Sequence, residues 1–207
     1  MKRTKRSPHL HSRFLYTHEG SIGDESDIRQ AEVGAASEIN GRSISLDQCS
    51  LNRTRIVQAP GIRLTDCVLE TVDAANAVLD ESGWKNVLVR ESRWTGARAN
   101  FAHMVDVVFQ ECQMSHSQLQ ESTLKDVRFE GCDLQGAYFN GAQMRGSVFQ
   151  GSNLTGVDFT RADITECDFR RAIIEDIRVA PEQLSGVIVT QDQALYLTRL
   201  FGLEIRE

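Results

Sequence analysis

The sequence predicts an all-β solenoid of square cross-section with a short C-terminal α-helix, and three observations carry that expectation. The first is a period of five between Cys67 and Ala172. The third residue of each five is apolar in every unit, from Leu69, Ala74, Leu79 and Trp84 to Phe159, Ile164 and Phe169. The first residue of each is small or β-branched, from Cys67, Val72, Ala77 and Ser82 to Cys167 and Ala172. An α-helix requires apolar spacings of three and four, and a strand requires two, so neither period fits. A short fixed repeat with two inward and three outward positions marks a solenoid.

The second observation is a spacing of twenty. Phe109, Phe129, Phe149 and Phe169 recur at that interval, as do Phe139 and Phe159. Four five-residue units then make one square coil, and each set becomes a column of rings on the inside of one face. Coils roughly 4.8 Å apart suit stacked aromatics. The two columns fall on opposite faces. The third observation is at the end of the chain, where Thr190-Gln-Asp-Gln193 is a capping box opening a helix that Gly202 should end.

In chain order, residues 1–25 show no repeat and read as a polar, basic tail. The solenoid is expected over residues 26–176. Partial units (SDI, AEV, SEI) follow Ser26, and Ile44/Leu46, Cys49/Leu51 and Thr54/Ile56 are clearer inward pairs. Ile56 to Leu64 is eight residues rather than five, and Pro60-Gly61 is strong turn chemistry. A small loop or bulge is therefore expected near residues 57–63. Trp84 and Trp94 are large for inward positions and Ala99 is a weak centre, so this third of the rod should be wide or distorted. Around Ala99 a shifted unit through Phe101 competes with the regular one. Gly131, Gly136, Gly141, Gly146, Gly151 and Gly156 hold the fifth position of six successive units, which suits corners of positive φ.

Residues 177–207 read as a cap. Ala180 to Leu184 should form a short helical turn and Val187 to Val189 a strand, since an open last coil leaves unpaired backbone groups. The following helix is apolar almost all round, through Leu195, Tyr196, Leu197, Leu200 and Phe201. One face can cover the rod's end, and the rest is expected to meet a second copy in a two-fold dimer. Leu195, Leu197, Leu200 and Phe201 are the candidate interface.

The units CDLQG, SNLTG, VDFTR, ADITE and CDFRR resemble the pentapeptide repeat family. That resemblance implies a right-handed quadrilateral β-helix. The ending QALYLTRLFGLEI is similar to the C-terminal helix and last strand of the family's topoisomerase-protecting branch, which includes the Qnr proteins and immunity proteins against peptide toxins. For that branch the resemblance implies end-to-end dimers that stand in for DNA.

Composition narrows the function. The chain has 207 residues, 41% of them hydrophobic, and no apolar run long enough to span a bilayer. Its basic opening lacks the apolar centre of a signal peptide, so the cytoplasm is expected. Cys49, Cys67, Cys112, Cys132 and Cys167 all take the small inward position, where a thiol acts as a small hydrophobe. His9 and His11 have no third ligand nearby in sequence, and His103 and His116 sit at outward positions without a nucleophile. No phosphate loop, dinucleotide fingerprint or metal spacing occurs. An enzyme, a cofactor and a metal are not expected.

Shape and charge remain. The net charge is −6 although Lys2, Arg3, Lys5, Arg6 and Arg13 precede any acid, so the rod itself is acidic. Direct nucleic-acid or membrane binding is not expected of it. The acidic excess is moderate and falls on the faces of the Ala74 and Leu79 columns. Asp73, Asp80, Glu81, Glu121, Asp133, Asp158, Glu175 and Asp176 are the candidate partner-binding acids. A narrow acidic rod can substitute for DNA in a protein that grips phosphates. The resemblance to the topoisomerase-protecting branch implies DNA gyrase or topoisomerase IV as the partner, protected from a quinolone or peptide poison. The alternative is an interaction scaffold of the same fold with another partner.

Overall fold

A computed structural model describes residues 16–35 and 37–204. Short strands follow one another around a square coil. The first are β1 (Tyr16–His18), β2 (Asp27–Arg29), β3 (Ala31–Val33), β4 (Glu38–Asn40), β5 (Ser45–Asp47), β6 (Ser50–Asn52), β7 (Arg55–Gln58), β8 (Arg63–Thr65) and β9 (Val68–Glu70). Then come β10 (Gly83–Arg90), β11 (His103–Gln110), β12 (Thr123–Lys125) and β13 (Arg128–Glu130). Every strand pairing is parallel, each strand meeting its equivalent one coil on. Beyond β13 the pairing continues as single bridges, such as Asp133 to Asn153 and Asp158 to Arg178. The backbone is satisfied coil to coil: Asn153 donates to Cys132 O at 2.9 Å, and Leu134 donates back to Asn153 O at 2.9 Å.

The five-residue unit explains this geometry. Positions one and three point inward and close the core, with Cys67, Leu69, Val72 and Ala74 all essentially inaccessible. Position five turns the corner with positive φ. Gly131 to Gly156 take values of 63° to 73°, but Asn86, Glu91, Asp106, His116 and Arg161 do the same at 45° to 61°. The coil therefore imposes the left-handed corner on whatever residue stands there. At position two an Asp or Asn carboxylate or amide oxygen accepts the N–H two residues on, as in Asp133 to Gln135 at 3.2 Å and Asp163 to Thr165 at 3.1 Å. This is an Asx turn, and it is why the unit favours those residues.

We name the inner faces A to D by the columns through Leu64, Leu69, Ala74 and Leu79. The expected aromatic columns are present on B and D. Phe109, Phe129 and Phe149 stack at 5.2 and 5.0 Å with planes within 8°. Phe139 and Phe159 stack at 5.6 Å. The two columns also meet edge to face across the core, Phe129 to Phe139 at 5.9 Å and 77°. At the last coil Phe169 tilts 69° from Phe149 and aligns with Phe159 instead. Trp84, Trp94 and Phe109 form a further cluster, with the two indoles 5.4 Å apart. Ala99 stays in register opposite them, so no shifted unit forms, and Phe101 points out. A cavity of about 20 Å³ lies among Trp84, Trp94, Ala99, Met104 and Met114. The coil walls here are the eight-residue strands β10 and β11, which pair through the A–B corner.

Three sequence expectations need correction. No loop leaves the rod near residues 57–63; the irregularity there is a bulge in β7, where Ile56 pairs with Ile39 and Gln58 with the next residue, Asn40. Ile56 donates to Asp73 O and Ala59 to Val78 O, so Ile56 stands on face C and the buried Ala59 on face D. Three residues do the work of five, and the coil shortens to eighteen, Ser45 pairing with Arg63. The preceding coil does likewise, with Gly41 donating to Gln58 O at 2.7 Å. From Arg63 onward the step is twenty, as Gly83 pairs with Arg63. The apparent insertion was a deletion.

The boundaries also move. The solenoid already includes β1, which pairs with β3, and Ile22, which is buried. Residues 1–15 lie outside the described residues. At the other end coil geometry passes 176, with Ile177 buried and Arg178 bridged to Asp158. Val187 to Val189 is not a strand but one bridge, Asp168 to Ile188.

Two glutamines finish the open coil. A 3₁₀ turn (Pro181–Leu184) and helix α1 (Gln191–Leu200) each carry a side chain that caps the backbone before it. Gln183 Nε2 donates to the carbonyls of Phe159 and Ala162, and Gln193 Nε2 to those of Phe169 and Ala172, at 2.7 to 2.8 Å. Thr190 caps α1 as expected, and Gly202 follows it at φ 76°.

Truncating Phe149 to Ala should cost about 3–5 kcal/mol in a denaturant titration, since its ring has neighbours above, below and beside it. Gln193→Ala should cost about 1–3 kcal/mol by leaving the Ala172 carbonyl unmet and removing one of the two donors to Phe169 O.

Candidate partner-binding surface

The described residues hold no group of three His, Cys, Asp or Glu placed to bind a metal. The five thiols are buried and unbridged. Burial pushes the Cys167 thiol up to about 12. His103 and His116 are exposed, as the sequence indicated. No helix among the described residues is long and apolar enough to cross a membrane.

The eight candidate acids divide by position in the repeat. Asp73, Asp133 and Asp158 stand at position two, where the carboxylate serves its own corner. Asp73 Oδ1 accepts from Ala75 N at 3.2 Å and Asp158 Oδ1 from Thr160 N at 2.9 Å. Burial works against the Asp158 charge, but hydrogen bonds from Thr160 and Asn140, with Arg178 nearby, leave its carboxyl below the usual range. Much of the acid is also paired along the rod. Asp73 meets Arg93 at 3.2 Å, Asp80 meets Arg98 at 2.7 Å, Glu121 meets Arg161 at 3.5 Å, and Asp158 meets Arg178 at 3.8 Å. Such exposed pairs contribute little to stability, but each sets a positive charge against the negative one. Glu81, Glu175 and Asp176 are exposed with no ion pair to a described residue.

The structure therefore does not bring the eight acids into one surface. Asp73 and Asp133 share face C but are separated by Arg93 and Gln113. Glu175 and Asp176 flank α1, where Asp176 N donates to the Tyr196 hydroxyl at 2.7 Å. Asp80, Glu81 and Glu121 do converge, on the corner between faces D and A.

That corner holds a residue the sequence reading did not single out for binding. Phe101 lies one coil from Glu81 and one from Glu121, 60% exposed, at φ 59°. A bulky side chain at positive φ is an outlier. The only sequence signal was an aromatic at position five, which belongs outside.

Helix α1 corrects one interface residue. Leu197 is buried against the rod's last coils, 7% exposed, so it is spent within the chain's own fold. Tyr196 and Phe201 pack partly on the same core. Leu195, Leu200 and Leu203 face out, 38% to 61% exposed, beside Ile188.

A rigid parallel solenoid presenting side chains only at fixed outward positions defines a class of repeat scaffold. Residues 97–191 are of that class: the family model described as "Pentapeptide repeat region" matches residues 97–159 and 122–191. Among solved structures, a trypsin-treated variant of QnrB1, a plasmid-mediated fluoroquinolone resistance protein, is 19% identical at TM-score 0.60, covering 92% of this chain and 99% of that one. A second trypsin-treated QnrB1 variant is 18% identical at TM-score 0.59, covering 93% and 99%. HetL from the cyanobacterium Nostoc sp. strain PCC 7120, involved in heterocyst differentiation regulation, is 12% identical at TM-score 0.49, covering 87% and 93%. The two QnrB1 likenesses are of fold alone. No curated protein sequence matches the chain.

Phe101→Gly should raise stability by about 1 kcal/mol in a thermal melt, because glycine accepts the left-handed corner without the steric cost. Leu197→Asp should lower the melting temperature of the single chain.

Proposed function

We propose that this protein binds a type II topoisomerase, DNA gyrase or topoisomerase IV, and protects it from a quinolone or peptide poison. The carrying observation is a rigid, net-acidic rod whose C-terminal end presents an outward leucine face. Leu195, Leu200 and Leu203 are exposed on or just past a helix whose other side is already buried. A second copy covering them doubles the rod and gives a two-fold assembly. Its length and charge then suit a cleft built to grip duplex phosphates. A topoisomerase partner places the protein in the cytoplasm.

A second reading has its own support. The arginines pairing Asp73, Asp80, Glu121 and Asp158 interrupt the negative surface. This favours a scaffold whose partner docks on one corner, centred on Phe101, over continuous mimicry of DNA. Exposed aromatics on rigid supports are the usual energetic centres of such contacts.

Gyrase supercoiling and cleavage, titrated with purified protein with and without ciprofloxacin or a peptide poison, tests the first reading. Restored supercoiling and less cleaved DNA are expected. No effect on gyrase or topoisomerase IV with any poison overturns protection and leaves the scaffold reading. Leu195→Asp with Leu200→Asp should give monomers by light scattering, and unchanged mass rejects the helix as the interface.

A further inference from the structure

Much of the rod's surface charge is paired between coils, but the corner between faces D and A leaves charge of both signs unpaired beside an exposed ring. In the first coils a groove of about 1140 Å³ lies over face D and this corner, lined by Arg42, Arg63 and Glu81 among others. Two acids of the groove are already engaged. Asp24 Oδ1 accepts from Arg42 N at 2.6 Å, and Asp80 accepts from Arg98 Nε at 2.7 Å and from Asn100 N at 3.0 Å. Arg42, Arg63 and Glu81 are exposed and form no ion pair with a described residue. Phe101 is the next corner residue beyond Glu81, and Glu121 the next beyond Phe101, since Glu81 N donates to Asn100 O and Phe101 N to Gln120 O. Phe101 therefore stands one coil, roughly 4.8 Å, from a glutamate on either side.

We propose that this corner docks a polypeptide segment carrying both signs of charge, with a cationic side chain on Phe101 between Glu81 and Glu121 and a carboxylate in the groove against Arg42 and Arg63. This rests on the scaffold reading above and names the chemistry of its partner. The ring is 60% exposed at φ 59°, and among the described residues no other Phe, Tyr or Trp takes a positive φ. Strain of that kind persists where function keeps it. An exposed ring between carboxylates attracts a guanidinium or ammonium group both through its face and through charge. Arg63 lies two coils from the level of Phe101, through Gly83 to His103, and Arg42 lies one coil further, before Ser45. That is a span of roughly 10 to 14 Å. An acid and a base four residues apart on an extended segment share one face and stand roughly 13 Å apart, so one short stretch reaches both ends. A partner of a single sign meets like charge somewhere on this surface, a basic one at Arg42 and Arg63 and an acidic one at Glu81 and Glu121.

Titration of the isotope-labelled full-length chain with three capped peptides, followed by NMR at low salt, tests this. The mixed peptide Ac-Glu-Ser-Gly-Ser-Arg-amide should shift the amides of Arg63, Glu81 and Phe101 saturably. Phe101→Gly, which relieves the strained corner, should weaken that binding several-fold, and so should the double variant Arg42→Ala/Arg63→Ala. Unchanged affinity in both variants overturns the site. Equal or tighter binding at the same amides by Ac-Arg-Ser-Gly-Ser-Arg-amide or Ac-Glu-Ser-Gly-Ser-Glu-amide overturns the mixed-charge partner and leaves a partner on this corner. No shift there with any of the three peptides overturns the proposal together with the scaffold reading it rests on.

Discussion

Everything in this molecule depends on coil-to-coil registry of the backbone. Each level must repeat the last closely enough that an N–H at one level finds a carbonyl at the next, because the interior offers no other partner. The coil therefore cannot vary freely in length or shape. It drops two residues at the corner before Ala59, and the coil before it is shortened there too, at Gly41. It can hold Trp84 and Trp94 only where Ala74 and Ala99 yield space beside them.

The same registry explains the side-chain ladders. Like residues in successive coils stand about 5 Å apart, which stacks Phe109, Phe129 and Phe149 almost face to face. It equally places Asp73 beside Arg93 and Asp80 near Arg98, so charge on the surface is arranged in short neutralised rungs. The acidity suggested by net charge is thereby divided, and the ladder is broken at only a few places. Phe101 between Glu81 and Glu121 is one such place.

The termini answer a common problem, the unpaired edge. At the C-terminal end, Gln183 and Gln193 do with side chains what the next coil would do with its backbone, and α1 covers the apolar opening with Leu197. What α1 leaves outside, Leu195 and Leu200, is a consequence of a ten-residue helix having more apolar residues than one side can bury.

The sequence alone determined the solenoid, its four faces, the aromatic columns and the capping helix. Each is written as a short period, and a period of five or twenty survives any detail of packing. The three-dimensional structure decided where the period fails. A gap of eight residues between Ile56 and Leu64 reads in one dimension as an insertion; only the pairing of Ala59 with Val78 reveals a shortened corner. The candidate acids were legible as outward residues. Their partners were not, since an arginine twenty residues away is remote in sequence and adjacent only after the coil closes. Leu197 and Leu195 are indistinguishable in composition, and the direction each faces was fixed by how α1 settles on the last coil.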